Sequence, residues 1–213
     1  MRYFYMILAF LLWPFSGANA FENGTMLFVE NGHNLVECYT RSNVSHVAIV
    51  IDDQVYEAEP PVVHKESVED WLTKIAKYNE RRGTPAIVEV LKPSKPYTKS
   101  EIDKMRQFLD QQVGRRYSVR GYVRKIPGDG IHCAEMSAQA LAATGRINVD
   151  QAYRLSPGNL REIVEDNHNS ISKWHVTVKP EYRRSTMTKF VDWFKQKGRT
   201  CQWSCGETMR FYW

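Results

Sequence analysis

The chain predicts an α+β fold in one compact unit, and three observations carry that expectation. Short runs rich in Val, Ile and aromatic residues ("TMLFVE", "HVAIVI", "QVYEA", "AIVEVL" and "WHVTV") are bounded by turn residues and read as strands. Between and after them lie segments whose apolar residues recur at helical spacing behind a capping residue. With 213 residues, 43% of them hydrophobic and 12% aromatic, the chain has enough apolar surface for one real core.

The first 20 residues, "MRYFYMILAFLLWPFSGANA", place one Arg before an apolar run and end in small residues of the A-x-A type, the pattern of a secretory signal. Cleavage after Ala20 leaves a chain starting at Phe21, secreted or periplasmic; the alternative is an uncleaved anchor, against which stand the short run and Pro14. "SVEDWLTKIAKY" is expected as a helix capped by Ser67, with Val68, Trp71, Leu72 and Ile75 on one face. "SEIDKMRQFLDQQVG" is expected to start from a Ser100 cap, bury Ile102, Met105 and Leu109, and stop at Gly114. "CAEMSAQALAATG" reads as a helix that opens at Cys133 and ends at Gly145. "SPGNLREIVED" has Ser156 as cap and Pro157 at the first helical position. A last amphipathic helix, "STMTKFVDWFKQKG", leads into an aromatic, cysteine-bearing tail.

Composition excludes several function classes. Four cysteines are too few and too unevenly placed for a disulfide scaffold, although Cys201 and Cys205 lie close enough in sequence to pair. No zinc-finger spacing and no H-E-x-x-H occurs, so no metal and no cofactor is expected. No basic helix or aromatic RNA-binding motif appears, so nucleic acid is not an expected partner. The formal charge is +5; from Lys179 onward eight Lys/Arg stand against three Asp/Glu, which suits either a solvated face or an anionic envelope surface.

Two stretches hold chemistry. In "VSHVAIVIDDQVYEAEP", a two-residue turn at Asp52 and Asp53 sets Ala48 opposite Glu57 and His46 opposite Glu59, and puts His46, Ala48 and Val50 on one face with Val55, Glu57 and Glu59. A three-residue turn would send both glutamates to the other face. In "GIHCAEMSAQALAATG", Cys133 occupies the first turn of a helix, where outward-pointing N–H groups favour a thiolate and can hold an oxyanion. Brought together, Cys133 and His46 make a nucleophile and base, with Glu57 or Glu59 orienting the ring. His132 and His64 are rival bases on chemistry alone. The competing reading is structural: a cysteine before a small-residue helix commonly packs as a small apolar residue.

The order "GTMLFVE", "VSHVAIVIDDQVYEAEPPVV", "WL", "VGRRYSVRG", "GIHCAEMSAQAL", "LSPGNL" resembles the YiiX/YaeF-like permuted papain-like amidases, relatives of the NlpC-type cell-wall hydrolases, over about residues 24 to 166. The resemblance implies a circularly permuted papain-like (NlpC-type) fold with a small antiparallel sheet packed with helices. It divides the chain into a signal at 1–20, a catalytic domain at 21–180 and a basic aromatic helix and tail at 181–213. It further implies a cysteine peptidase or amidase working through a thioester, with Cys133 as nucleophile, His46 as base and Glu57 as the third member. Glu59, Tyr117, His132 and Glu135 stand at positions that suggest substrate binding. Ala134 replaces the family's Ser, and Ser118 an Asp, departures that point to an altered pocket with the chemistry retained. The expected substrate is a cell-wall peptide, an amino-acid amide or, as the rival enzyme reading, a lipid acyl group. A catalytically inactive envelope-binding module, with Cys133 packed or disulfide-bonded to Cys38, is the reading from a different class.

Overall fold

The computed structural model describes residues 21–176 apart from 33 and 80–84. The secretory signal, the last amphipathic helix and the Cys201/Cys205 pair lie outside the described residues. Six strands form one antiparallel sheet: β1 (Thr25–Glu30), β2 (Val44–Ile51), β3 (Gln54–Ala58), β4 (Val63–Ser67), β5 (Ile87–Pro93) and β6 (His168–His175), ordered β4-β3-β2-β1-β5-β6. Among the described residues six α-helices accompany it: α1 (Asn34–Thr40), α2 (Val68–Asn79), α3 (Lys99–Gln112), α4 (Arg120–Arg124), α5 (Cys133–Ala142) and α6 (Pro157–Val164).

Both faces of the sheet are covered, and strand parity sorts the residues between them. Met26, Phe28, Val47, Ile49, Ile51 and Tyr56 meet α3, α5 and α6 through Met105, Leu109, Met136, Leu141 and Leu160. Leu27, Val29, Ala48, Val50, Val55, Val88 and Val90 meet Trp71, Ile75 and Ala76 of α2. Central β1 is therefore buried on every residue, which is why its sequence reads as an unbroken apolar run instead of an alternating one.

The expected helices that fall within the described residues form, with α5 ending at Ala142, short of Gly145, and the start of α3 displaced. Ser67 Oγ accepts from the Asp70 N–H (3.1 Å) at the start of α2, and Ser156 closes a capping box with Asn159 behind Pro157. The third helix is capped by Thr98, not Ser100: Thr98 Oγ1 accepts from the Glu101 N–H while the Glu101 carboxylate accepts from the Thr98 N–H. A Thr-x-x-Glu box satisfies two orphan donors at once, which a serine two residues later cannot do. Short α1 and α4 were not expected. β4 was missed because only Val63 of "VHKES" is buried; an edge strand carrying charge shows neither alternation nor an apolar run. The last strand begins earlier than "WHVTV", at His168, and it too is a polar edge strand.

The hairpin turn is the two-residue one. Ile51 pairs with Gln54, Val50 with Val55 and Ile49 with Tyr56, and both Asp52 and Asp53 have positive φ (51° and 58°), as a type I′ turn needs. Aspartate tolerates that region better than most side chains, and Asp52 also ion-pairs with Arg106 of α3.

Gly130 sets the approach to α5. A Cβ there would sit 2.4 Å from Ser118 Cβ and 2.9 Å from the Arg116 carbonyl, because residues 116–118 and 130–131 run side by side, with Tyr117 bridged to Ile131. Gly130→Ala must push backbone apart two residues before the α5 cap, and is expected to cost about 1–3 kcal/mol, as overpacking does. Urea unfolding measures the loss.

Candidate active site

Cys133 is the first residue of α5, and His132 is its N-cap, with Nδ1 accepting from the Glu135 N–H at 3.3 Å. Small side chains let α5 lie close to the sheet: Ala134, Ser137, Ala138 and Ala140 are all fully buried. The thiol is 4% exposed, and the more open member of the pair is His46, with a side chain 20% exposed.

His46 and Glu57 meet where the hairpin ladder ends. Pairing of β2 with β3 stops at Ile49↔Tyr56; beyond it β2 continues against β1 and β3 against β4. Across that end of the hairpin, His46 Nε2 lies 2.8 Å from Glu57 Oε2. Glu57, not the directly opposed Glu59, is thus the carboxylate on the ring. Glu59 turns to Lys74 Nζ (3.1 Å) and lies 3.6 Å from His64 Nε2. With Nε2 engaged by Glu57, Nδ1 of His46 is left for the thiol.

Cys133 interacts electrostatically with both His46 and His132. Burial alone pushes its pKa up, but the charge of His46 acts first among the opposing effects, followed by His132, and together they bring the thiol down to about 5. Burial works against a charged His132, while the neighbouring Cys133 and Glu135 favour it, for a net rise. Its contacts pull the other way: Nδ1 accepts the cap hydrogen bond and Nε2 is 3.2 Å from the Tyr153 carbonyl, a set that a neutral ring with its proton on Nε2 satisfies. A carboxylate within hydrogen-bonding distance separates the two imidazoles as bases. His46 has one at 2.8 Å, whereas the nearest to His132 is Glu135 Oε2 at 3.8 Å.

Glu57 is 1% exposed and fully employed. Oε2 also accepts from Trp71 Nε1 at 2.9 Å, and Oε1 contacts Lys74 Nζ and His64 Nε2, the latter at 3.1 Å. Lys74 joins Glu57, Glu59 and Glu66, the last at 2.6 Å. Burial brings the Lys74 ammonium down to about 7, and the three carboxylates around it oppose that shift. Sequence reasoning missed Lys74, Trp71 and Glu66 at this site. The helical face of α2 marked Trp71 as inward, but nothing local says that its indole and the lysine one turn on converge on a carboxylate from β3.

The remaining expected residues divide. His64, a rival base, contacts Glu57 and not the thiol. Glu135 is buried in the first turn of α5, where burial raises its carboxyl pKa. Tyr117 is a core residue whose N–H donates to the Pro61 carbonyl. Cys38 and Cys133 are both free thiols, so no disulfide joins them. Glu57, Glu59 and His64 each bring one ligand atom within 4.8 Å of the others, a grouping a cation can use that no linear motif announced; Lys74 stands beside both glutamates.

Fold and site define an α+β protein with a six-stranded antiparallel sheet and a buried Cys–His–Glu cluster at the mouth of a helix. No family model and no curated protein matches the chain. Among solved structures it is similar to the crystal structure of the metalloprotein YiiX from Escherichia coli O157:H7, at 15% identity and a TM-score of 0.47, over 76% of this chain and 90% of that one. A likeness of that size carries no argument about the site. Among the described residues, no helix is long and apolar enough to cross a membrane.

Proposed function

We propose that the protein is a cysteine hydrolase of acyl–nitrogen bonds, an amidase or peptidase, in which Cys133, His46 and Glu57 act as nucleophile, base and orienting carboxylate. The observation that supports it best is a thiol brought to about 5 beside a histidine whose far nitrogen is held 2.8 Å from a buried carboxylate. His46 takes the Cys133 proton, which leaves the thiolate as the nucleophile. Sulfur attacks the acyl carbon, the carbonyl oxygen becomes an oxyanion held by the Cys133 N–H at the start of α5, and the C–N bond breaks as His46 gives its proton to the departing amine. His46 then takes a proton from water, whose oxygen attacks the thioester and releases the acid and the thiolate. Glu57 stays ionised throughout. A peptide from the cell wall or an amino-acid amide suits this chemistry in an exported protein.

A second reading, transfer or hydrolysis of a lipid acyl group, is favoured by the aromatic edge beside the site: Tyr122 packs edge-on to His132 at 5.9 Å and Tyr39 edge-on to Tyr122 at 5.8 Å. Comparing hydrolysis of a dipeptide-amide panel and an acyl-ester panel by wild type and Cys133→Ala separates the two.

Iodoacetamide tests the chemistry before any substrate is known. The thiolate fraction rises as pH passes the thiol's pKa, so alkylation of Cys133 is expected to plateau above about pH 6, whereas an ordinary thiol near 8.5 is still climbing. At pH 6 the thiolate advantage is roughly 300-fold, reduced to about tenfold because nucleophilicity falls with pKa. Peptide mass spectrometry reads both profiles. A Cys133 that labels no faster than Cys38 at pH 6 refutes the nucleophile and leaves the binding module.

A further inference from the structure

The end of α4 and the segment after it form an exposed surface apart from the Cys133 site. Residues 123–129 are exposed without a break, the longest such run among the described residues. Within it Ile126 is 53% exposed and Val123 37%, with Tyr39, 59% exposed, stacked edge-on to Tyr122 at its base. Around these apolar groups the charge is mostly positive. Over residues 115–129 five Lys/Arg stand against one Asp, and Arg124 and Lys125 lie in the exposed run itself.

The segment is held in shape. Lys125 closes α4 with φ 60°, and its carbonyl accepts from Arg154 Nη2 at 3.2 Å. Gly121 packs so closely that an added Cβ would lie 3.3 Å from both the Ile126 carbonyl and Tyr153. At the far end Arg115 donates to the carbonyls of Asp129 (3.3 Å) and Gly130 (3.1 Å). A floppy loop could fold its isoleucine inward; this one is braced with the side chain exposed.

We infer that Val123, Ile126 and the Arg124–Lys125 pair dock the protein on an anionic phospholipid bilayer. Exposed aliphatic side chains flanked by cations meet the two requirements of interfacial binding, apolar area for the acyl boundary and positive charge for anionic headgroups. A fluid bilayer accommodates such a run without a matching pocket. Tyr122 links the segment to His132, the N-cap of the helix that opens at Cys133, so docking holds this edge of the site against the lipid surface. The interaction does not depend on the chemistry of the thiol.

The test is flotation of the full chain with vesicles of phosphatidylcholine alone or with phosphatidylglycerol added, combined with amide hydrogen exchange on the same samples. The expected result is protection of residues 121–128 on the anionic vesicles only. Partitioning should weaken at least about tenfold in Arg124→Ser/Lys125→Ser, since each cation near such a surface contributes about fivefold. Val123→Ser/Ile126→Ser should weaken it by a similar factor through lost apolar burial. Both double variants should keep the wild-type melting temperature, and Cys133→Ala should bind like wild type. Hydrogen exchange is local, so the N-terminal apolar run and the basic C-terminal segment, common to every variant, do not confuse it. Vesicle binding that leaves 121–128 unprotected, or that survives loss of Val123 and Ile126, overturns the proposal. So does protection that rises with protein concentration without vesicles, which would assign the surface to a second copy of the chain.

Discussion

Glu57→Gln is expected to lose about 3–5 kcal/mol of stability, the cost of breaking a buried ionic cluster by removing one partner. An amide has one acceptor oxygen and a donor nitrogen, but both oxygens of Glu57 face donors: Trp71 Nε1 and the His46 ring on Oε2, Lys74 and His64 on Oε1. Either orientation of the amide sets N–H against N–H, in a place where water cannot compensate. Glu59→Gln should cost under about 1 kcal/mol, because Glu59 is 28% exposed and Lys74 keeps Glu57 and Glu66. Urea midpoints of the two variants, read beside turnover at a temperature where both are folded, separate the carboxylates. Equal losses would remove Glu57 from its special position behind His46.

The second large effect concerns what holds the thiol ionised. His46→Ala removes the foremost influence opposing burial, so the midpoint of Cys133 alkylation should move from about 5 to the ordinary range near 8.5 or above. At pH 6 that change lowers the thiolate population by roughly two orders of magnitude or more. His132→Asn should move the midpoint less, and it should leave stability nearly intact because asparagine keeps an N-cap acceptor for the Glu135 N–H. His132→Ala drops the cap as well and should cost about 1 kcal/mol. If His132→Asn moves the midpoint further than His46→Ala, the roles of the two imidazoles are exchanged and the Glu57 contact to His46 is structural.

Much of the architecture was legible in linear order because its causes are local. Ser67, Ser156 and Pro157 act within a turn of their own position, and the alternation of "HVAIVI" and "QVYEA" around Asp52–Asp53 sets which residues share a face. The same parity puts His46 beside a glutamate, and the cap position places Cys133 at the first residue of α5. It did not choose the glutamate. Direct opposition favoured Glu59, whereas the ladder ends at Ile49↔Tyr56 and the ring reaches diagonally to Glu57.

Where sequence reasoning failed, the cause was distance along the chain or the absence of an apolar signal. β4 and β6 are edge strands whose side chains are largely polar, so they carry neither a run nor an alternation, yet backbone pairing with β3 and β5 defines them fully. The donors that surround Glu57 come from β2, β4 and α2, and each is ordinary in its own segment.

By itself the sequence determined the α+β class, the starts of α2, α5 and α6, the hairpin register and the two residue types poised to react, because each follows from φ/ψ preference, capping or side-chain period within a few residues. Hairpin parity left Glu57 and Glu59 open and the family resemblance pointed to Glu57; tertiary structure set Glu57 on His46 and alone decided that Lys74, His64 and Trp71 saturate that carboxylate and that two imidazoles flank one thiol. Electrostatic influence falls with separation in space and ignores separation in sequence, so only the folded chain sets a thiol at about 5.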